Sequence, residues 1–246
     1  MVFELRKGES VPVEFRRRKG TRYLRLSVGH VNQIVVSVPW HCSKRDALGF
    51  VRKHRAWLRM QLASVPRTRL LGQWLEEYPQ LTASGDVFGV RIEPAMKRGC
   101  EYTFDEGGAV VVLRIPLIED KEEALQHVVR VFARDALLCR TAYHAKKTGM
   151  KFGKFSVRDQ SSRWGSCSSD RSISLNWRLV LLPPALQDYV ILHELAHLKE
   201  LNHSKRYWDL LDRYDPDRLR HEAELDAVTP ALMRVGRKKI PAALPV

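Results

Sequence analysis

Three stretches near the start of the chain, 11–18 (VPVEFRRR), 22–28 (RYLRLSV) and 32–38 (NQIVVSV), are rich in β-branched residues and partly alternate between apolar and polar positions. Lys19-Gly20 and Gly29-His30 separate them, so the pattern predicts a small antiparallel meander. Ser43 then stands where a helix cap belongs. Beyond it Ala47, Phe50, Val51, His54, Trp57, Leu58 and Leu62 recur at helical spacing, and Pro66 lies past the expected end. Strand-like runs resume between Leu81 and Leu113, with turns at Gly85-Asp86 and Gly107-Gly108. From about Glu119 to Lys147 the positions of Ala124, Val128, Phe132, Ala136, Leu137 and Tyr143 predict a long helix. Two strands are expected near 154–159 and 172–177, before Pro183-Pro184 opens another helix. Neither an internal repeat nor a low-complexity tract stands out.

Composition narrows the class. The 246 residues are 44% hydrophobic and 28% charged, as in a globular protein, and no run approaches the length needed to cross a bilayer. Glu4, Arg6 and Lys7 precede any apolar stretch, so no secretory signal is expected and a cytoplasmic location is the default. Cys42, Cys100, Cys139 and Cys167 are widely separated, which argues against a disulfide framework and a cysteine metal site. The net charge of +14 is uneven. Residues 1–72 hold 16 Lys and Arg against 4 Asp and Glu, leaving only +2 for the remainder. Such a basic segment either attracts nucleic acid or another polyanion, or is simply a solvated surface.

The candidate chemistry lies at His193-Glu194-Leu195-Ala196-His197. On a helix, residues four apart share a face, so both imidazoles can reach one ion while Glu194 projects beside it. Leu186, Val190, His193 and His197 follow the helical period, and Pro184 suits the first turn. A catalytic zinc site takes three protein ligands and keeps a fourth position for water. His203 is the favoured third ligand, because Leu201-Asn202 can end the helix in a left-handed turn and bring the chain back. Glu222, with Asp226 four residues on, is the competitor. In this scheme Glu194 is the general base that takes a proton from the attacking water.

The run from Ser161 to Trp208, with its R-W-G-S-C block, L-N-W-R-L strand, H-E-L-A-H helix and N-H-S-x-x-Y-W segment, resembles the YgjP-like metallopeptidase family, relatives of the SprT and Wss-type proteases. The N-terminal R-R-R-K, R-L-x-V and V-x-V-P segments resemble that family's front half, whereas residues 70–118 match poorly and the chain after Asp217 lies beyond the resemblance. The resemblance implies zinc held by His193, His197 and His203 with Glu194 as base. Tyr207 stands where the family more often has Phe, and its hydroxyl either reaches the site or packs. Arg163 has two readings: a contact to an oxyanion or anionic substrate group, or a structural stack with Trp164 on a hairpin. Cys167 as a fourth, switching ligand is disfavoured. Residues 172–177 are the candidate strand for pairing with extended substrate.

The expected architecture is α+β: a basic, antiparallel β-rich module closed by an amphipathic helix (1–72), a strand-rich connecting region (73–118), and a zincin-like catalytic domain with active-site helix, small mixed sheet and C-terminal helical extension (119–246). The expected function is zinc-dependent hydrolysis of peptide bonds in a polypeptide substrate, with no membrane partner. Two alternatives remain. One is a metal-dependent nucleotide pyrophosphatase, motivated by the Arg and Lys excess although no P-loop is present. The other is a nucleic-acid-recruited protease or binding module, which can coexist with peptide hydrolysis.

Overall fold

The computed structural model describes residues 2–237 apart from 7, 18, 30, 96–98, 118 and 119. The expectations that touch Arg18, His30 and Glu119 therefore lie in part outside the described residues. The fold is α+β and divides into two compact units, residues 1–69 with 236–246, and Leu70–Val235.

The first unit holds β1 (Val2–Arg6), β2 (Glu9–Arg17), β3 (Arg25–Val28) and β4 (Ile34–Val38), followed by α1 (Lys44–Lys53) and α2 (Arg55–Ser64). Its sheet has the order β1-β2-β4-β3. The expected antiparallel meander is thus corrected. An additional strand, β1, pairs antiparallel with β2, and β4 inserts between β2 and β3, parallel to the former and antiparallel to the latter. The local pattern cannot distinguish these arrangements, because a strand buries the same alternate residues whichever neighbour it pairs with. Ser43 caps α1 through its side chain, as its position predicts. The single helix expected here is two, interrupted at His54, whose ring bonds the Phe50 carbonyl at 2.9 Å. Val13, Ile34, Val36, Val38, Ala47, Val51 and Leu58 form the core of this unit.

The second unit begins with α3 (Leu71–Glu77) and a sheet of β5 (Gln80–Ala83), β6 (Asp86–Pro94), β7 (Glu101–Phe104) and β8 (Val110–Ile115), in the order β5-β6-β8-β7. Its pairing repeats that of the first sheet: hairpin, parallel insertion, antiparallel edge. A helix again follows, α4 (Lys121–Thr148). The correspondence extends to residues. Val13 and Val90, Val36 and Leu113, Val38 and Ile115, Ala47 and Ala124, and Val51 and Val128 are all separated by the same 77 residues, and so are the helix caps Ser43 and Asp120. Each member of these apolar pairs lies in or against the core of its own unit. An internal duplication is present that the sequence does not readily display, because what is shared is mostly inward positions, caps and a few turn residues such as Gly8 and Gly85.

Residues 80–115 are not a separate connector in packing terms. Leu81, Val111 and Leu113 share one cluster with Phe132, Leu137, Ile191 and Leu195. Helix α4 is accordingly buried on two sides, whereas α1 buries only Ala47 and Val51.

The remainder comprises β9 (Phe155–Arg158), β10 (Gly165–Cys167), β11 (Ile173–Asn176), a tight helical turn at Trp177–Leu181, α5 (Pro184–Ala196), α6 (Lys205–Tyr214) and α7 (Arg218–Leu232). β11 lies between β10, antiparallel, and β9, parallel. The turn before α5 is anchored by Arg178. This fully buried side chain donates to the Val235 carbonyl at 2.7 Å and to Asp159 at 2.6 Å, and its guanidinium lies over the Trp177 ring. Among the described residues no helix is long and apolar enough to cross a membrane.

Removing a buried, hydrogen-bonded charge leaves its partners unpaired. Arg178→Ala should therefore lower the unfolding free energy by about 3 kcal/mol, measured as a shift of the urea midpoint.

Candidate metal centre

Helix α5 is apolar on most of its surface: Leu186, Tyr189, Val190, Ile191, Leu192, Leu195 and Ala196 are all buried. Pro184 occupies its first turn, where a missing N–H costs nothing. The helix is tied to β5 through Gln187, whose amide donates to the Thr82 carbonyl at 3.4 Å, and Thr82 in turn donates to the Leu182 carbonyl at 2.5 Å. This enclosure fixes the backbone that presents His193, Glu194 and, at the end of the helix, His197.

The chain turns after His197 and returns to start α6, which Ser204 caps by accepting from the Tyr207 N–H. The expected left-handed Asn202 is not found. The only non-glycine residues with positive φ among those described are Asn32, Ser84 and Arg171. Successive helix-end turns at Leu198, Lys199 and Glu200 make the reversal instead, closed by a bond from Ser204 N–H to the Asn202 carbonyl. Overlapping turns with right-handed backbone reverse direction without the cost of a left-handed residue.

The return brings His203 to the helix. One ring nitrogen from each of His193, His197 and His203 lies within 4.8 Å of the others, and His203 Nε2 is 3.3 Å from His193 Nε2. A tetrahedral ion with arms of about 2.0–2.1 Å spaces its ligand atoms about 3.3–3.4 Å apart, a spacing that the His193–His203 pair already has. His197 Nδ1 is 3.1 Å from the Glu200 carbonyl, a contact that leaves Nε2 free as a donor to a metal. Burial, with His197 and His203 nearby, pushes the His193 pKa down to about 4, which keeps that imidazole neutral. Glu222 does not join the group; it accepts from Arg218 at 3.0 Å.

Tyr207 and Trp208 form the floor. Tyr207 is fully buried, stacks on His197 at 4.6 Å, and donates its hydroxyl to the His193 carbonyl at 3.1 Å. Trp208 stacks on His203 at 5.3 Å. Both rings thus lie against the imidazoles.

Glu194 is 6% exposed, and burial pushes its pKa up to about 8 against the lowering effect of Arg163. Its carboxylate lies against Gly165 of β10. A Cβ on that glycine would fall 2.5 Å from Glu194 Oε1, well inside van der Waals contact. Gly165 is the site residue that sequence reasoning misses, although an isolated glycine in a strand is the usual sign of a close approach. Arg163 is exposed, and its charge acts on Glu194. Trp164 is buried and donates to Thr229 at 2.8 Å. Burial and the Glu194 charge push the Cys167 thiol up to about 11, so it stays protonated and outside the histidine group.

The YgjP-like metallopeptidase domain matches the chain over residues 22–228. The protein belongs to that family. Two solved structures are also similar over part of the chain: the metallopeptidase zymogen jannalysin of Methanocaldococcus jannaschii, 19% identical over 37% of this chain and 94% of that one with a TM-score of 0.34, and the metallopeptidase zymogen abylysin of Pyrococcus abyssi, 20% identical over 39% and 97% with a TM-score of 0.35. No curated protein matches. As a YgjP-like metallopeptidase, the chain needs a divalent metal, and its histidine group can hold one.

The Gly165 contact is open to a direct test. Gly165→Ala should leave metal stoichiometry unchanged but displace the Glu194 carboxylate and reduce peptide hydrolysis about tenfold or more, read as a fall in kcat in the metal-loaded enzyme.

Proposed function

We propose that the protein is a zinc-dependent peptidase in which His193, His197 and His203 hold the metal and Glu194 is the general base. The observation that carries this reading is the convergence of three imidazole nitrogens beside a buried carboxylate. When bound, zinc supplies a Lewis acid for the scissile carbonyl and makes a neighbouring water acidic. Glu194 accepts the proton of the attacking water and returns it to the leaving nitrogen. A carboxylate whose proton affinity is raised by burial suits that double role near neutral pH. Tyr207 holds the His193 backbone and the His197 ring, a positioning role rather than a substrate contact. Arg163 is the exposed cation that can bind an anionic group of the substrate or its transition state.

The free edge of β10 supports that strand, rather than residues 172–177, as the one that pairs with substrate. β11 is paired on both sides and has no free edge, whereas β10 is an edge strand. The Asn176 N–H donates to the Trp164 carbonyl and the Ser168 N–H to the Ser172 carbonyl, so by antiparallel alternation Gly165 and Cys167 direct their N–H and C=O groups outward. An extended polypeptide adding at that edge would pass beside Glu194.

Glu194→Gln should retain the metal and lose hydrolysis by a factor of about a hundred or more, whereas His203→Ala should weaken metal affinity. Metal analysis alongside cleavage of an unfolded protein or peptide library checks both; full activity in Glu194→Gln would exclude Glu194 as base. Release of phosphate from nucleoside triphosphates that is lost with Glu194→Gln and on chelation, in the absence of peptide cleavage, would assign the site to phosphoanhydride hydrolysis instead.

A further inference from the structure

The duplicated sheets provide an internal control for the charge of the first unit. Residues 2–64 carry 14 Lys and Arg against 4 Asp and Glu, whereas the equivalent residues 79–141 carry 8 against 10. The same strand order and core positions are therefore built at about +10 and about −2. The positive charge is not required by the fold.

The difference is sharpest in one row of cross-strand neighbours. In the second sheet Glu93, Arg114 and Glu101 are aligned across β6, β8 and β7, and Arg114 lies 3.5 Å from Glu93 and 3.6 Å from Glu101. In the first sheet the equivalent row is Arg16, Ser37 and Arg25 across β2, β4 and β3. The outer charges are inverted and the central counter-charge is replaced by a hydroxyl. Arg16 is paired within its own strand to Glu14 at 2.6 Å. Two further cations stand beside this row: Lys19 and Arg22 line a hollow of about 430 Å³ together with Arg25, Ser37, Gly20, Thr21 and Tyr23. Arg25 thus faces a hydroxyl rather than a counter-charge across the sheet, and three cations line the hollow.

One exposed aromatic ring, Tyr23, lines the same hollow and is 73% exposed. Arginines around a hydroxyl supply sites for phosphate, and freely exposed rings supply faces on which unpaired bases stack.

We propose that this face of the first unit binds single-stranded nucleic acid, with Lys19, Arg22 and Arg25 on the phosphates and Tyr23 stacking on a base. The duplicated sheet carries the fold-building role, and the first copy has turned its outer surface into a polyanion site. Binding is independent of the hydrolytic chemistry, so Glu194→Gln and wild-type protein bind alike.

The test is fluorescence anisotropy with the full chain and labelled single-stranded DNA and RNA of about 20 bases. Affinity should fall steeply between about 50 and 200 mM salt. Arg25→Glu, which copies Glu101 of the second sheet, should weaken binding about tenfold or more and reduce the salt slope by about one. Tyr23→Ala should weaken it about fivefold or more with the slope unchanged. Circular dichroism confirms that each exposed-site variant is folded, and Arg25→Gln provides a milder change in the same direction. The relative affinities of the DNA and RNA oligomers identify which strand is bound. The proposal is overturned by no binding at low salt, by Arg25→Glu or Tyr23→Ala binding as well as wild type, or by equal affinity for duplex DNA, anionic phospholipid vesicles or an acidic peptide.

Discussion

Helix α5 can present a metal-binding face only because it is enclosed by the rest of its unit. A histidine pair four residues apart is useful when the backbone beneath it cannot rotate, and here Tyr189, Ile191, Leu192 and Leu195 are buried while Gln187 ties the helix to β5. The same enclosure removes water from Glu194 and raises its affinity for a proton. Placing a carboxylate there requires space, which Gly165 supplies by lacking a Cβ. One packing constraint thus sets the direction of the imidazoles, the proton affinity of the Glu194 carboxylate, and the residue tolerated on the adjoining strand.

The imidazoles are held by aromatic surfaces as well as by helix geometry. Tyr207 stacks on His197 and bonds the His193 carbonyl, and Trp208 stacks on His203. These rings come from α6, whose Ser204 cap follows directly after His203. The cap and the third imidazole are one device: starting a new helix at Ser204 fixes where the preceding residue lies. A left-handed Asn202 is unnecessary once that helix has docked.

The duplicated sheet–helix units show how one architecture serves two roles. In the second unit, α4 is covered on both sides, so Val129 and Phe132 are buried as well as the sheet-facing Ala124 and Val128. In the first unit only the sheet-facing stripe is covered, and Arg52 stands where the second unit has Val129. Core positions are constrained by packing and remain recognisable, while surface positions have diverged to opposite charge. The repeat is consequently visible in strand order and burial but not in the run of residues.

The sequence by itself determines the local elements and the chemistry that short spacing imposes. The helix through His193 and His197, the cap at Ser43, the turn glycines and the long α4 all follow from patterns spanning a few residues. The concentration of charge in the first unit is equally plain. What only the tertiary structure decides depends on neighbours far along the chain: β4 inserting between β2 and β3, β11 lying inside its sheet with β10 at the edge, and Gly165 meeting Glu194. A strand's alternation names the face it buries but not the strand it joins, since the hydrogen bonds of a sheet are made by backbone groups common to every residue.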